Sequence, residues 1–310
     1  MTEYAVVERP GPLTLIQDCG RRGQQHLGVS VGGALDSHAA GWANRLLHNP
    51  PQAALLEICL GPFALRFPAH TCIAITGADC GWQLDGKPLD NWRAHRVGAG
   101  SLLTGLTATS GLRSYMALAG GILTPPVWGS RATTVAEKLG GLQGAPLARG
   151  DLLPYGPQQC NTLLAAPPGY VRQYSTEVFL RVAASNQFTQ FPPQSRRDFF
   201  SRNYRVAPES DRMGVRMSGE PLGEVPGNMT SEAVAPGAIQ IPGNGLPIVL
   251  MRDCQTIGGY PKLGHVYRVD LDRLAQARPG TQVKFVLGSL TESQAELAAQ
   301  LKFFGSGQRV

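Results

Sequence analysis

Short apolar runs of strand length, separated by glycine, proline or aspartate, dominate the hydrophobic pattern of the chain. Runs of four to eight apolar or β-branched residues bounded by turn residues are typical of β-strands. Many short strands spaced by turns favour a closed barrel, so the chain is predicted to be mainly β with few helices. The predicted strands lie at 55–60, 64–67, 72–76, 102–103, 114–119, 177–182, 204–206, 238–241, 247–251, 266–269 and 283–287.

The first residues predict an opening hairpin. Residues 5–7 and 13–17 have strand character, and the sequence Pro10-Gly11-Pro12 between them is typical of a turn. We therefore expect the two strands to pair with each other.

Three segments have helical character. Apolar residues between 39 and 47 recur on one helical face, Asp36 is positioned as N-cap, and Asn49 followed by two prolines marks the end. A short helix is predicted to start at Asp270 and run to about Ala277. A final amphipathic helix is predicted at about 291–304.

A change of composition predicts a domain boundary. Between about residues 158 and 170, proline, glutamine, alanine and glycine replace the strand pattern. Boundaries between domains usually fall in linkers that are rich in proline, glycine and polar residues. We place it after residue 165, which gives an N-terminal β-rich subdomain (1–165) and a C-terminal barrel subdomain (166–310).

The 310 residues carry a net charge of +6, with 23 arginines against 5 lysines. Arginine binds carboxylates and phosphates with two parallel hydrogen bonds, so anionic small molecules fit this composition. The segment 196–205 interleaves arginines with aromatic residues, as single-strand nucleic-acid surfaces do. Its aromatic residues also alternate like the inward side chains of a strand, and we expect no nucleic-acid partner.

Six cysteines occur without a CxxC pair or a zinc-type spacing with histidine, so no metal site is predicted. The N-terminus lacks the features of a signal peptide, and no apolar run approaches the length of a membrane span. We therefore expect a cytoplasmic protein with reduced thiols and no membrane contact.

The run from Arg252 to His265 concentrates polar side chains between two strand-like segments. Asp253 could accept a proton or orient a nucleophile, Gln255 could donate to a developing oxyanion, and Lys262 could neutralise negative charge. Cys254 is the candidate nucleophile, although no adjacent base is apparent. The pair Gly258–Gly259 fits a bulge or tight turn as well as a site.

Three further segments are candidate anion sites. Gly32 and Gly33 precede the first helix, where free N–H groups can hold an anion, although a simple helix cap explains them equally well. The turn 129–134, which contains Ser130, suits phosphate or carboxylate, or else caps a helix over 135–139. Asp211 and Arg212 form either a structural turn pair or a substrate clamp. The P-loop pattern is absent.

Short motifs that follow one another along the chain carry a family resemblance. They are Gln17-Asp-x-Gly-Arg-x-Gly23, Gly32-Gly-Ala-Leu-Asp36, Ala43-Asn44, Leu56-Glu57, Ile75-Thr-Gly-Ala-Asp79, Arg113-Ser-Tyr115, Ala119-Gly-Gly121, Gly129-Ser130, Ser210-Asp-Arg-Met-Gly214 and Asp253-x-Gln-Thr-x-Gly-Gly-Tyr-Pro261. Together they closely resemble the C component of 5-oxoprolinase, which is one of the subunits of that enzyme. The match extends from Gln17 to Phe285, within a family domain of about 17–290.

The larger family contains several kinds of protein. Besides the 5-oxoprolinase component, it includes the second subunit of allophanate-hydrolase-like proteins and the carboxyltransferase part of urea carboxylase. It also includes an antagonist of a sporulation kinase inhibitor. The ordered motifs therefore identify the family more specifically than the activity.

The resemblance implies a cyclophilin-like β-barrel, with a companion subunit that has a similar barrel and a site formed between the two. It implies an ATP-dependent enzyme, active only as a complex with a further lactam-hydrolysing subunit. The reaction converts 5-oxo-L-proline, ATP and water to L-glutamate, ADP and phosphate, with Mg²⁺ as cofactor. Phosphorylating the lactam oxygen would make a better leaving group before ring opening, and positioning and charge neutralisation would dominate that step.

On this basis, the expected catalytic residues are Asp253, Gln255 and Lys262. The expected substrate- or nucleotide-binding residues are Arg212, Asp211, Tyr260, Gly258, Gly259, Arg113, Ser130, Gly32 and Gly33. One motif departs from the family pattern, since Ala132 replaces a serine within Gly-Ser-x-Ser-Thr. Thr133 and Thr134 remain as hydroxyl donors there.

Two alternative functions remain. A biotin-dependent carboxyltransferase would act on urea or a related amide, but no lysine of this chain has a methionine neighbour. Biotin is therefore not expected on this chain and would need a separate carrier. The other alternative is a non-enzymatic regulator that binds a partner resembling a kinase inhibitor.

Overall fold

The computed structural model describes residues 2–158, 160, 162–227 and 229–305. It divides the chain into two compact units. The first contains the chain up to Arg21, then Gly32–Tyr174 and Phe304, and the second contains Arg22–Val31 and Ser175–Phe303. The sequence prediction placed one boundary after residue 165. The structure places it after Tyr174 and moves the short segment Arg22–Val31 into the second unit.

The first unit contains two antiparallel sheets with a shared apolar core formed by residues such as Ile16, Leu56, Ile73 and Leu118. The six-stranded sheet has the order β11 (Leu152–Tyr155), β1 (Glu3–Arg9), β4 (Phe63–Arg66), β9 (Leu102–Gly105), β6 (Gln83–Leu84) and β7 (Lys87–Pro88). The five-stranded sheet has the order β2 (Leu13–Gln17), β3 (Leu55–Cys59), β10 (Ser110–Leu118), β5 (Thr71–Asp79) and β8 (Arg93–Val97).

The opening hairpin prediction is wrong, although both strands exist. β1 pairs with β11 and β4, whereas β2 pairs with β3, with Leu13 opposite Cys59. The Pro10–Pro12 segment therefore carries the chain from one sheet to the other. Its glycine, Gly11, has a φ of +73°. Local turn chemistry predicts a change of direction, but distant strands determine which partner each strand finds.

The first helix, α1 (Ser37–Leu46), confirms its prediction. The Asp36 carboxylate accepts a hydrogen bond from the Ala39 N–H at 2.9 Å, which makes it the N-cap. Trp42, Ala43 and Leu46 are buried on the face that the apolar spacing predicted. The helix packs against β5 and β10.

The second unit contains a closed seven-stranded barrel, which confirms the predicted mainly β barrel. Its order is β12 (Glu177–Ala184), β19 (Lys262–Val266), β16 (Ala238–Gln240), β17 (Ile248–Leu250), β14 (Gly214–Ser218), β13 (Tyr204–Val206) and β20 (Gln282–Leu287). A separate two-stranded sheet pairs β15 (Glu232–Ala233) with β18 (Ile257–Gly258).

Three further α-helices complete the described part of the chain. They are α2 (Pro193–Ser201), α3 (Arg268–Leu274) and α4 (Leu290–Gly305), of which α4 confirms the predicted terminal helix. Short 3₁₀ turns occur at Gln25–Leu27, Pro168–Tyr170 and Phe188–Gln190. None of the helices in the described ranges is long and apolar enough to cross a membrane.

Two strand predictions are wrong in part. The aromatic residues of 196–205 do not alternate along a strand, because α2 extends to Ser201. Phe199 is buried one helical turn after Ser195 and stacks on Phe285 at a ring-centroid distance of 4.5 Å. The strand predicted at 266–269 ends at Val266, and α3 begins at Arg268, two residues before the predicted start.

Two further expectations also need correction. The segment 135–139 forms a turn closed by a bridge between Thr134 and Leu139, so it is not a helix. Cys72 and Cys160 form a disulfide, with Cα atoms 6.2 Å apart, so not all thiols are reduced. The two cysteines are separated by 88 residues, and sequence spacing alone gives no sign of the pairing.

Candidate substrate site around Lys262

Arg212 and Asp253 form a buried, two-point ion pair in the second unit. Nε and Nη2 of Arg212 donate to the two carboxylate oxygens of Asp253 at 2.7 and 2.9 Å. The Asp253 N–H also donates to the Arg212 carbonyl at 3.0 Å. The guanidinium group of Arg212 thus binds both carboxylate oxygens of Asp253, and the ion pair connects the chain segments around the two residues. This geometry does not suit the predicted role of Asp253 as a proton acceptor.

The neighbouring predicted residues have structural contacts. Asp211 is exposed, and its Oδ1 accepts hydrogen bonds from the N–H groups of Met213 and Gly214. This contact fits the turn interpretation. The Cys254 thiol is buried, and burial, together with the nearby Asp253 carboxylate, raises its pKa to about 12. A thiol with this pKa is a poor nucleophile near neutral pH.

In the first unit, the N–H groups of the two candidate anion loops donate to internal acceptors. Before α1, Gly33 donates to Gln17 Oε1, Ala34 to the Asp18 carbonyl and Leu35 to Glu57 Oε2. A Cβ on Gly32 would lie 2.7 Å from the Thr134 side chain, and one on Gly33 2.8 Å from the Gly20 nitrogen. Close packing, together with the positive φ of +65° at Gly32 and +89° at Gly33, accounts for both glycines.

The turn around Ser130 is organised by Asp18. Its carboxylate accepts hydrogen bonds from Ser130 Oγ at 2.7 Å, from the Arg131 N–H at 2.6 Å and from the Gly20 N–H at 2.8 Å. Ser130 Oγ in turn accepts from the Ala132 N–H. Ser130 thus connects the turn to Asp18.

Arg113 belongs to a buried charged network in the first unit. Its Nε lies 3.6 Å from Glu57 Oε1, and Tyr115 OH donates to Glu57 Oε2 at 2.8 Å. Tyr115 OH also accepts from the Asp36 N–H at 2.8 Å. Burial, and then the carboxylates of Glu57 and Asp36, raise the pKa of Tyr115 well above its usual value. Arg113 offsets this concentration of negative charge.

Lys262 is the buried cation of a second cluster, in the second unit. It is the first residue of β19 and is 5% exposed. Its Nζ lies 2.5 Å from Glu232 Oε1 and donates to the Ala233 carbonyl at 3.2 Å, both on β15. Gln187 supports the arrangement, because its Oε1 accepts from the Lys262 N–H at 2.7 Å and its Nε2 donates to Glu232. The barrel and the two-stranded sheet together fix the lysine.

Gln240 and Gly258 lie beside Lys262 in the same cluster. Gln240, on β16, is directly opposite Lys262 in the strand register and is 1% exposed. A Cβ on Gly258 would lie 2.6 Å from Gln240 Nε2 and 3.6 Å from Gln255 Nε2. Gln255 is exposed. The missing side chain of Gly258 therefore leaves space for two neighbouring amide groups, those of buried Gln240 and exposed Gln255.

Gly259 and Tyr260 are the other residues of this stretch that the sequence predicted to bind substrate or nucleotide. Tyr260 is 45% exposed, and a Cβ on Gly259 would lie 3.1 Å from the Met229 carbonyl. Neither Gly258 nor Gly259 has a positive φ, so their positions depend on close packing rather than on a turn. His265 follows on β19, and burial, then the nearby Lys262, lower its pKa.

A second concentration of positive charge lies in the same unit. Arg252 and burial lower the pKa of Arg268 to about 9, and Arg22 contributes in the same direction. Asp272, which is buried, partly opposes this effect. Arg22, Arg252 and Arg268 of the second unit thus lie close enough together to repel one another.

The sequence prediction missed three members of the Lys262 cluster, namely Gln187, Glu232 and Gln240. Gln187 and Glu232 lie far from Lys262 in sequence, in segments without a recognised motif. Gln240 did carry a signal, since it is the polar residue within the apolar strand run 238–241. A polar side chain in a buried strand needs a partner, and that need could have marked it.

The carboxyltransferase family model with subdomains A and B matches residues 27–287. The chain belongs to this carboxyltransferase family. A relative from Escherichia coli, named as the C component of 5-oxoprolinase, is 37% identical over 298 residues, which cover 96% of this chain and 95% of the relative. The protein of the same name from Haemophilus influenzae is 34% identical over 90% of this chain and 89% of its own length.

Other relatives and solved structures that this chain resembles are longer than the chain. Urea amidolyase from Saccharomyces cerevisiae is 30% identical over 92% of this chain but only 17% of its own length. The solved structure of Kluyveromyces lactis urea carboxylase matches 98% of this chain with a TM-score of 0.91 and 27% identity, and this chain spans 29% of it. The structure of TTHA0988 matches 92% of this chain and 56% of its own, with a TM-score of 0.80 and 32% identity. The fold of this chain is therefore shared with these two longer proteins.

Proposed function

We propose that this chain is one subunit of an ATP-dependent 5-oxoprolinase complex, in which it holds the lactam 5-oxo-L-proline for ring opening to L-glutamate. The observation that carries the proposal is the near-complete mutual coverage with the C component of the Escherichia coli 5-oxoprolinase, 96% of this chain and 95% of the relative. The urea amidolyase relatives match only a fraction of their own length. In the complex, the partners are a companion barrel subunit and a lactam-hydrolysing subunit.

The Lys262 cluster supports the chemistry. A lactam presents a carbonyl oxygen that becomes more negative as its amide bond is activated. Hydrogen-bond donors and cations fixed beforehand around such an oxygen stabilise the charge that develops. Lys262 supplies the cation, Gln255 supplies an exposed amide donor, and Glu232 with Gln187 keeps the lysine in place. Tyr260, two residues before Lys262 in the sequence, has an exposed ring.

The two candidate phosphate loops of the first unit do not fit the phosphates of ATP. In the two candidate phosphate loops, the N–H groups of residues 33–36 and 130–134 all donate to internal acceptors. Within the described ranges, no three histidine, cysteine, aspartate or glutamate side chains converge on a possible metal position. We therefore assign nucleotide binding to a partner subunit and derive no step through ATP on this chain.

A carboxyltransferase acting on urea or a related amide is the second candidate. The family model and the urea amidolyase relatives favour it. Urea and a lactam share the amide carbonyl, so the same donors at Lys262 could hold either compound. Biotin would have to come from another subunit, because no lysine of this chain has a methionine neighbour.

Turnover by the assembled complex separates the two functions. The complex of this chain with its companion subunits is assayed for ADP and glutamate formation that depends on 5-oxo-L-proline. The same complex is assayed for biotin-dependent ATP use with urea and bicarbonate. We expect the first activity only. Turnover of urea without turnover of 5-oxo-L-proline would contradict the proposal and favour the carboxyltransferase.

A matched pair of lysine variants links the activity to the site. Lys262→Met is expected to lower turnover by roughly 100-fold, the usual size for a charge-stabilising donor. Lys284→Met is the control, because Lys284 is half-exposed on β20 and pairs with Glu177 at 2.8 Å. It should leave turnover unchanged. Equal activity of the two variants would show that Lys262 has no part in the reaction.

A further inference from the structure

No hydrogen bond among the described residues explains where the Nε2 atom of the Gln240 side chain is placed. The residue is 1% exposed on β16, and its buried Nε2 has no hydrogen-bond acceptor among the residues that the structure describes. An unpaired buried donor is destabilising, so native proteins keep few of them. Such a group is expected where a ligand supplies the missing acceptor.

The position of the amide connects it to the candidate site. Opposed residues of antiparallel strands project to the same face, so Gln240 and Lys262 share one face of the barrel. Gln240 Nε2 lies where a side chain at Gly258 would have to go, and Gln255 Nε2 is near the same point. The two amide nitrogens therefore meet at Gly258, and Lys262 lies opposite Gln240 in the strand register.

We propose that Gln240 is a substrate-binding and specificity-determining residue, whose amide donates a hydrogen bond to the carbonyl oxygen of the amide substrate beside Lys262. This inference rests on the proposed function for the identity of that substrate, 5-oxo-L-proline. The substrate class it selects is compounds with a free amide or lactam oxygen. Gly258 is glycine because any side chain there would displace the donor.

The chemistry of the donor explains the selectivity. A buried site built to hydrogen-bond a substrate oxygen disfavours compounds that lack it, because the donor would stay unpaired. L-Proline has the same ring as 5-oxo-L-proline without the ring carbonyl. The protein with Gln240 intact is therefore expected to discriminate strongly between the two, and a protein without the amide donor is expected to lose much of that discrimination.

Gln240→Met in the assembled complex tests the inference, since methionine keeps the length of the side chain and removes the donor. We expect kcat/KM for 5-oxo-L-proline to fall by roughly 10- to 100-fold, as for the loss of a buried hydrogen bond. We also expect inhibition by L-proline to become stronger relative to substrate binding. The melting temperature is expected to stay equal or rise, because the unpaired amide is gone.

Gln282→Met is the control, because Gln282 is a half-buried barrel residue whose amide donates to Glu177 at 3.1 Å. This control variant should leave both kcat/KM for 5-oxo-L-proline and the strength of inhibition by L-proline unchanged. A Gln240→Met complex with unchanged kcat/KM would overturn the inference. So would a lower melting temperature with unchanged substrate discrimination, which is the result expected if Gln240 holds only a structural water. An inactive wild-type complex would contradict the proposed function instead, and the two failures are therefore distinguishable.

Discussion

The Asp18 turn of the first unit and the Lys262 cluster of the second unit have similar polar content, but they differ in whether their buried N–H donors all have acceptors. Both were expected from the sequence to bind substrate or nucleotide. In the Asp18 turn, Ser130 and the N–H groups of 130–134 all have internal acceptors. In the Lys262 cluster, the buried Nε2 of Gln240 has no acceptor within the described part of the chain.

Whether a buried donor has an internal acceptor distinguishes polar groups that stabilise the fold from polar groups that can bind a ligand. A satisfied network stabilises one conformation and leaves nothing for a ligand to bond. A buried donor without an acceptor costs stability, and a site that binds an acceptor explains why it persists. Asp253, with both oxygens on Arg212, belongs with the satisfied group although it lies in the same sequence run as Lys262.

Breaking the Arg212–Asp253 pair should have the largest effect on stability. Arg212→Met leaves a buried carboxylate without its partner, which typically costs about 3–5 kcal/mol. Chemical denaturation should show this loss, while Arg216→Met, an exposed residue on β14, should change little. An Arg212→Met protein that is as stable as the wild type but inactive would move Arg212 from the structural to the binding group.

Asp18→Ala tests the satisfied turn of the first unit. Three donors lose their acceptor, which we expect to cost roughly 2 kcal/mol in the free energy of unfolding. The affinity for 5-oxo-L-proline should not change. Asp90→Ala, which removes an exposed ion pair with Arg93, is the control and should have a small effect. Lost substrate binding in a folded Asp18→Ala complex would contradict the comparison.

The acid side of the stability curve tests the environment of His265. Its pKa is lowered from 6.5 in the folded protein, so the unfolded chain binds a proton more readily. Its contribution to stability is therefore complete above pH 6.5 and is lost as the pH falls towards the folded pKa. Urea denaturation between about pH 7.5 and about pH 5 should show a smaller loss for His265→Gln than for the wild type. An exposed-residue variant, His70→Gln, should follow the wild type.

The last prediction, with the smallest expected consequence for stability and activity, concerns the reactivity of two cysteine thiols in the folded protein. Cys254 is buried with a pKa of about 12, whereas Cys19 is exposed. Iodoacetamide at about pH 8 should label Cys19 of the folded protein within minutes and leave Cys254 unmodified. Peptide mass spectrometry reads out both positions. Rapid modification of Cys254 in the folded protein would restore it as a candidate nucleophile.

Much of the fold could be predicted from the sequence because strand and cap signals are local. The Asp36 N-cap, the α1 face and the terminal helix follow from residue types within one or two turns. Strand pairing is non-local, so the hairpin prediction failed although β1 and β2 were correctly identified. The segment of α2 was predicted as a strand because the spacing of its aromatic residues fits both the strand period of two residues and the helical period of about 3.6 residues.

The site was predictable only in part for the same reason. Lys262, Gln255 and Gly258 lie in one polar run, which stands out from the apolar strands on either side. Gln187, Glu232 and Gln240 reach the cluster only through barrel closure and the β15–β18 pairing. Whether a carboxylate is free or already paired also depends on the fold, as the Arg212–Asp253 pair shows.

The most direct test of the central claim, that the Lys262 cluster binds the lactam, is isothermal calorimetry of 5-oxo-L-proline with the assembled complex in the absence of ATP. We predict saturable binding to the wild type and to Lys284→Met, and at least about tenfold weaker binding to Lys262→Met. Equal affinity of all three complexes would contradict the claim and place the lactam site elsewhere.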